Sequence, residues 1–226
     1  MGTLTTFLVV LIGWIFSLTL HEFMHAFVAY QGGDWTVREK GYLTFNPLKY
    51  THPVYSLLLP LLFLFLGGIG LPGGAVYIQT NLLRSRKWET AVSLAGPFSN
   101  LLLAIVLGLV LRLAPPDLGG FAPVSQSGIW PGLAFLALLQ VTAAIFNLLP
   151  IPPFDGYGAL RPHLGWELRE RMDQFGQVSI FVVFLALSYL PLVGNLFWGL
   201  VRLIAQLVGV PFSLAALGQS LFMFWR

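Results

Sequence analysis

Long apolar runs separated by short polar stretches organise this chain of 226 residues. Crossing the hydrocarbon core of a bilayer takes about 20 apolar residues in a helix. Residues 5–30, 89–113 and 129–149 meet that length, and 178–190 and 192–207 come near it. A sixth apolar stretch, 54–71, is interrupted by Pro60, Gly67, Gly68 and Gly70. The fold class expected is therefore an all-α polytopic membrane protein with five to six transmembrane helices. There is no repeat, low-complexity tract or hydrophilic block large enough for an appended soluble domain. One domain is expected over 1–226, with a catalytic core at about 5–156 and accessory C-terminal helices at about 176–226.

The polar stretches differ in charge, and this sets a topology. Arg38, Lys40 and Lys49 fall in the first loop, Arg84, Arg86 and Lys87 in the second, and Arg161, Arg169 and Arg171 in the last; the loop at 114–128 holds only Asp117. Basic loops stay in the cytoplasm, so the Asp117 loop is expected outside and the other three inside. The stretch 54–71 must then enter the membrane and return. Irregular backbone at that depth is tolerated where protein or a cavity covers it, which suits its Pro and Gly content.

Composition agrees: 57% of residues are hydrophobic and 9% charged, against about 25% charged in soluble domains. The net charge of +3 reads as topology and headgroup contact with the lipid bilayer, and nothing suggests nucleic-acid binding. With no cysteine, disulfides and thiolate metal sites are excluded. Residues 1–6 lack the basic start of a signal peptide, so the first helix is expected to be retained.

That first helix carries His21-Glu22-Phe23-Met24-His25. Residues four apart share a helix face, so the two imidazoles can bind one zinc ion, with Glu22 beside them as general base for a water the metal acidifies. Three ionisable groups in an apolar helix are costly unless they act. Zinc needs a third protein ligand and an open fourth position. The best candidate is Asp155, in Asn147-Leu-Leu-Pro150-Ile-Pro152-Pro153-Phe154-Asp155-Gly156. Its prolines end a helix just before it, and Gly156 permits a tight turn. If 54–71 re-enters, the run at 129–149 returns to the side where the histidines lie and delivers Asp155 to them. If 54–71 crosses fully, Asp155 ends on the opposite face.

These residues resemble those of the site-2 protease family of intramembrane zinc metalloproteases, in a compact form without PDZ or CBS domains. The similarity covers about residues 11–156, including the weaker stretches at Asn46-Pro47 and Gly96-Pro97 with Asn100. It implies His21, His25 and Asp155 as ligands of one zinc ion per chain and Glu22 as the base. It also implies that Asn147 holds the substrate or the developing oxyanion. The expected activity is hydrolysis of peptide bonds in or near transmembrane segments of membrane-anchored substrates. The expected location is multi-pass in a prokaryotic cytoplasmic membrane, with the active site towards the cytoplasm. Gly96-Pro97 and Asn100 are expected to shape the start of a core helix. Phe154 stands where the family usually has Leu. His52 takes the place of a common acidic residue, and His163 reads as solvated.

Other readings remain open at this point. A protease-like protein that binds transmembrane helices without cutting would not need Glu22. A metal transporter would need ionisable groups at several depths, where the later spans offer Arg112 and Arg202. Another class of HExxH protease would take a Glu as third ligand, for which Glu167 or Glu170, in a charged, loop-like segment, are the candidates.

Overall fold

The structure, a computed structural model, describes residues 2–50, 64–65, 76–113, 127–176 and 178–225. Among these residues every regular element is helical and no strand occurs. In chain order the α-helices are α1 (Gly2–Gly32), α2 (Thr36–Glu39), α3 (Arg86–Leu111), α4 (Ile129–Asn147), α5 (Asp155–Leu160), α6 (Trp166–Phe175), α7 (Ser179–Tyr189), α8 (Pro191–Leu207) and α9 (Phe212–Phe222).

Three of them, α1, α3 and α4, are long and apolar enough to cross a membrane by themselves. The number of candidate spans rises to five if two bent pairs each count as one: α6 with α7, bent by 70°, and α8 with α9, bent by 113°. The run at 178–190 becomes a helix of 11 residues, about 16 Å long at 1.5 Å per residue. That is short of the roughly 30 Å hydrocarbon core. The charged segment expected to be loop-like is instead the helix α6, with Glu167 and Glu170 both exposed. Of the stretch 54–71, only Leu64 and Phe65 lie within the described residues; the re-entrant segment, like His52 and Asp117, lies outside them.

The faces of α1 are those of a membrane helix. Its buried stripe runs through Thr6, Val10, Trp14, Ser17, His21, His25 and Ala29, a helical spacing. Leu4, Leu8, Ile12 and Phe16 face outward. Polar groups turn inward, and the exposed face is apolar. Between helices in lipid the association comes from close packing and interhelical hydrogen bonds. Gly13 lies against Leu136 of α4, and Gly132 of α4 against Val9. Thr6 Oγ1 donates to the Gly128 carbonyl at 2.8 Å, and Ser17 Oγ to Gln140 Oε1 at 2.5 Å. Such bonds contribute about 0.6 to 2 kcal/mol each. The most buried of the three long helices is α4, packed against α1, α3, α8 and α9. It is the axis of the bundle.

Two local devices bring the polar segments back to that axis. Gly33, at φ +120°, ends α1 in a conformation that L side chains rarely adopt, and a Cβ there would strike the Leu82 carbonyl. After α4, Pro150, Pro152 and Pro153 stop the helix and α5 starts at Asp155. The short helix α5 packs on α3, where Thr90 Oγ1 donates to the Ala159 carbonyl at 2.8 Å. Ser179, at the start of α7, donates to the Pro152 carbonyl from the other side.

Candidate metal centre

His21 and His25 project from α1 one turn apart, and both are buried, 5% and 6% exposed. Their Nε2 atoms are 3.0 Å apart. Asp155, at the first position of α5, places Oδ2 at 3.2 Å from His21 Nε2 and 3.4 Å from His25 Nε2. The structure thus brings together the two histidines of the motif and an aspartate 130 residues along the chain.

The other ring nitrogens decide what these atoms present. His25 Nδ1 lies 2.7 Å from the Val92 carbonyl, which can only accept, so Nδ1 carries the proton. His21 Nδ1 lies 2.6 Å from Asn100 Oδ1 and carries its proton for the same reason. In the neutral form, a ring protonated at Nδ1 turns the lone pair of Nε2 towards the same point as the carboxylate Oδ2. Three lone pairs so close repel one another unless a cation lies among them. Zinc with arms of about 2.0 to 2.2 Å in a tetrahedron has ligand-to-ligand edges of roughly 3.3 to 3.5 Å. The observed 3.0, 3.2 and 3.4 Å fit such an ion with modest adjustment.

Asp155 is beyond the end of the α4 span. Its position is kept by close packing. A Cβ on Gly156 would strike the carbonyls of Leu148 and Leu149, so the Asp-Gly pair is needed for close approach of α5 to the end of α4 rather than for a positive φ. Further on, Arg161 holds Asp173 of α6 through Nε at 3.0 Å and a terminal nitrogen at 2.7 Å, and Tyr157 donates to the same carboxylate at 2.6 Å. The hydrogen bond from Arg161 holds the Asp173 carboxyl below its ordinary value against the opposing effect of partial burial. This clamp fixes α6 to α5, and so to the helix that carries Asp155.

Glu22 is 4% exposed, and its Oε2 accepts from the Val76 N–H at 3.2 Å. It lines a cavity of about 380 Å³ together with His21, His25, Asn147, Phe154 and Asp155. Asn147, the last residue of α4, is buried at its wall. Glu167 and Glu170 on exposed α6 are not in the cluster. His163 is exposed, as expected, with Nε2 at 2.9 Å from Thr90 Oγ1.

Two residues have a larger part than the sequence suggested. Gly96 and Pro97 lie in the middle of α3, not at its start. A Cβ on Gly96 would fall against Nε2 of both His25 and His21, so this glycine keeps the space beside the two rings open. Asn100, one turn on, is the partner of His21. Polar or glycine residues inside an apolar span are the signal that marks them, although the partner itself is not encoded locally.

Comparison with known proteins points to zinc-dependent proteolysis. The profile of peptidase family M50 matches residues 7–190. A protein of Mycobacterium tuberculosis named as a zinc metalloprotease, Rip2, is 47% identical over 222 residues, which cover 97% of this chain and 81% of the relative. Its namesake in Mycolicibacterium smegmatis is 46% identical over 220 residues, with the same coverage. YwhC of Bacillus subtilis, also named as a zinc metalloprotease, is 32% identical over 184 residues, 81% of each chain. No solved structure matches the chain.

Proposed function

From the premise that the chain belongs to peptidase family M50, we propose that His21, His25 and Asp155 hold its zinc ion and that Glu22 is the catalytic base. The protein is a zinc metalloendopeptidase embedded in the membrane. The observation that carries the site assignment is the convergence of three lone-pair donors, 3.0 to 3.4 Å apart, in the cavity that also holds Glu22.

The chemistry divides among the residues as follows. Zinc in that position supplies a Lewis acid that brings the pKa of a water towards about 7 and polarises a carbonyl. Glu22 takes the proton as the water oxygen bonds to the carbonyl carbon, and then returns it to the amide nitrogen as the C–N bond breaks. The Val76 N–H holds one oxygen of Glu22 and leaves the other for that transfer. Asn147 holds the substrate carbonyl and donates to the oxyanion as it develops, a contribution of about 3 kcal/mol for a well-placed donor. Asn100 and the Val92 carbonyl keep both imidazoles in the ligating tautomer.

Substrates, in this reading, are membrane-anchored proteins cut in or near their transmembrane segments, as in regulated intramembrane proteolysis. Burial of the cluster among membrane-spanning helices supports that choice. A segment cut there must unwind locally, because helical hydrogen bonds shield its peptide groups. We place the protein in the cytoplasmic membrane with the active site towards the cytoplasm. The basic loops carrying Arg84, Arg86 and Lys87 and Arg161, Arg169 and Arg171 support that orientation. We also propose five to six spans in all, with the re-entrant course of 54–71 resting on the charge pattern alone, and a single domain over 1–226.

The test is cleavage of a reporter bearing a transmembrane segment, with enzyme and substrate in the same vesicles. Cleavage by the wild type and loss of it in Glu22→Gln is expected. Equal cleavage by both would overturn the role of Glu22, whereas binding of the segment without cutting by the wild type would favour a non-cleaving helix-binding protein.

A further inference from the structure

Behind the metal centre, a second layer of polar groups crosses the bundle. Gln140 is in the middle of α4 and fully buried. Its Oε1 accepts from Ser17 Oγ of α1 at 2.5 Å and from Asn100 Nδ2 of α3 at 2.7 Å. Asn100 Nδ2 also donates to Ser17 Oγ at 3.2 Å, and Asn100 Oδ1 lies 2.6 Å from His21 Nδ1, placed to accept a hydrogen bond from it. Gln140 Nε2, by contrast, is buried with no partner among the described residues. An amide retained only to join helices gains most by using both ends. Here the acceptor end is used twice and the donor end not at all.

The direction of these bonds follows from the ion, and so rests on the zinc reading above. Ligation needs the lone pair of His21 Nε2, so Nδ1 must carry the proton. Nδ1–H needs an acceptor, so Asn100 must turn Oδ1 towards it. Asn100 then points Nδ2 into the bundle, where only an acceptor can receive it. Were Asn100 turned over, its NH₂ would face Nδ1, the proton would move to Nε2, and the ligating lone pair would be lost.

We propose that Gln140 is a positioning residue for the metal centre: its carbonyl, with Ser17, fixes which end of the Asn100 amide faces His21 and thereby keeps His21 Nε2 free for the ion. Gln140 touches neither metal nor substrate, and acts through Asn100.

Three substitutions separate this from a packing role. Gln140→Leu and Gln140→Met keep the volume and remove the acceptor, and Gln140→Glu keeps an acceptor oxygen in place. The purified full chain in detergent is stripped and titrated with zinc against a competing chelator. The visible spectrum of the Co²⁺-loaded protein then reports the ligand set, and thermal melting of the stripped protein reports the fold. Zinc affinity should fall about 10- to 100-fold in Gln140→Leu and Gln140→Met, the range for partners of ligating histidines. Gln140→Glu should remain within a few-fold of the wild type. Wild-type zinc affinity and Co²⁺ spectrum in either apolar variant would overturn the proposal, as would a loss in Gln140→Glu equal to theirs. If Gln140→Leu does not fold, Gln140→Met decides. His21→Ala controls for the reading beneath: undiminished zinc affinity in that variant would refute the metal site itself and not the role of Gln140.

Discussion

At the scale of single residues, the protease motif was the most legible feature of this chain. The spacing of His21 and His25 is enough to put both on one helix face, and it places Glu22 beside them. What the spacing does not contain is the identity of the atoms that hold the rings. Asn100 is 79 residues from His21 and Val92 is 67 from His25; only the folded bundle pairs them. In the sequence Gly96 looks helix-shaping, yet its missing side chain is what leaves space beside the two Nε2 atoms. Gly96→Ala is therefore expected to abolish stoichiometric zinc binding while α3 remains helical, measured by metal analysis and circular dichroism. Glu22→Gln leaves the three ligands in place, so zinc content should be unchanged. Its kcat should fall by about 10² to 10⁴, the usual contribution of a positioned base, as read from single-turnover cleavage of a transmembrane reporter.

Among the elements, the three long helices were foreseeable from apolar length, and their ends agree with the sequence reading within a few residues. The helix α6 was not, because its charges suggested a loop. The clamp between Arg161, Tyr157 and Asp173 shows how these charges are used: they fasten α6 to α5. The folded-state pKa of Asp173 is lowered, so its stabilising contribution is complete above the unfolded value of about 3.9 and is lost as the pH falls through the lowered one. The melting temperature of the wild type should exceed that of Asp173→Asn by a constant margin from pH 7 down to about 5. The margin should shrink at more acid pH. A margin that does not change with pH would exclude the carboxylate as its source. Gly156→Ala should weaken zinc binding by displacing α5 from the Leu148 and Leu149 carbonyls, with the zinc dissociation constant as the readout.

For the whole molecule, charge and chemistry gave the same expectation. The positive-inside pattern and the need for Asp155 at the histidines both require an even number of crossings between α1 and α3, and α5 does reach α1 in the folded chain. The path expected for 54–71 rests on that logic alone, because its Pro and Gly break the periodicity that would define it; apart from Leu64 and Phe65, the stretch lies outside the described residues. Since the chain has no cysteine, single cysteines can report the orientation. Asp117→Cys should react with an impermeant thiol reagent added outside intact cells, and Gln174→Cys only after the membrane is opened. The reverse pattern would invert the topology. Activity requires one ion held between α1 and α5, and X-ray absorption at the zinc edge of the purified protein tests that most directly. We expect one zinc per chain, four-coordinate, with two imidazole nitrogens and a carboxylate oxygen at about 2.0 to 2.2 Å, and loss of that oxygen in Asp155→Ala. An identical zinc environment in the wild type and Asp155→Ala would contradict it.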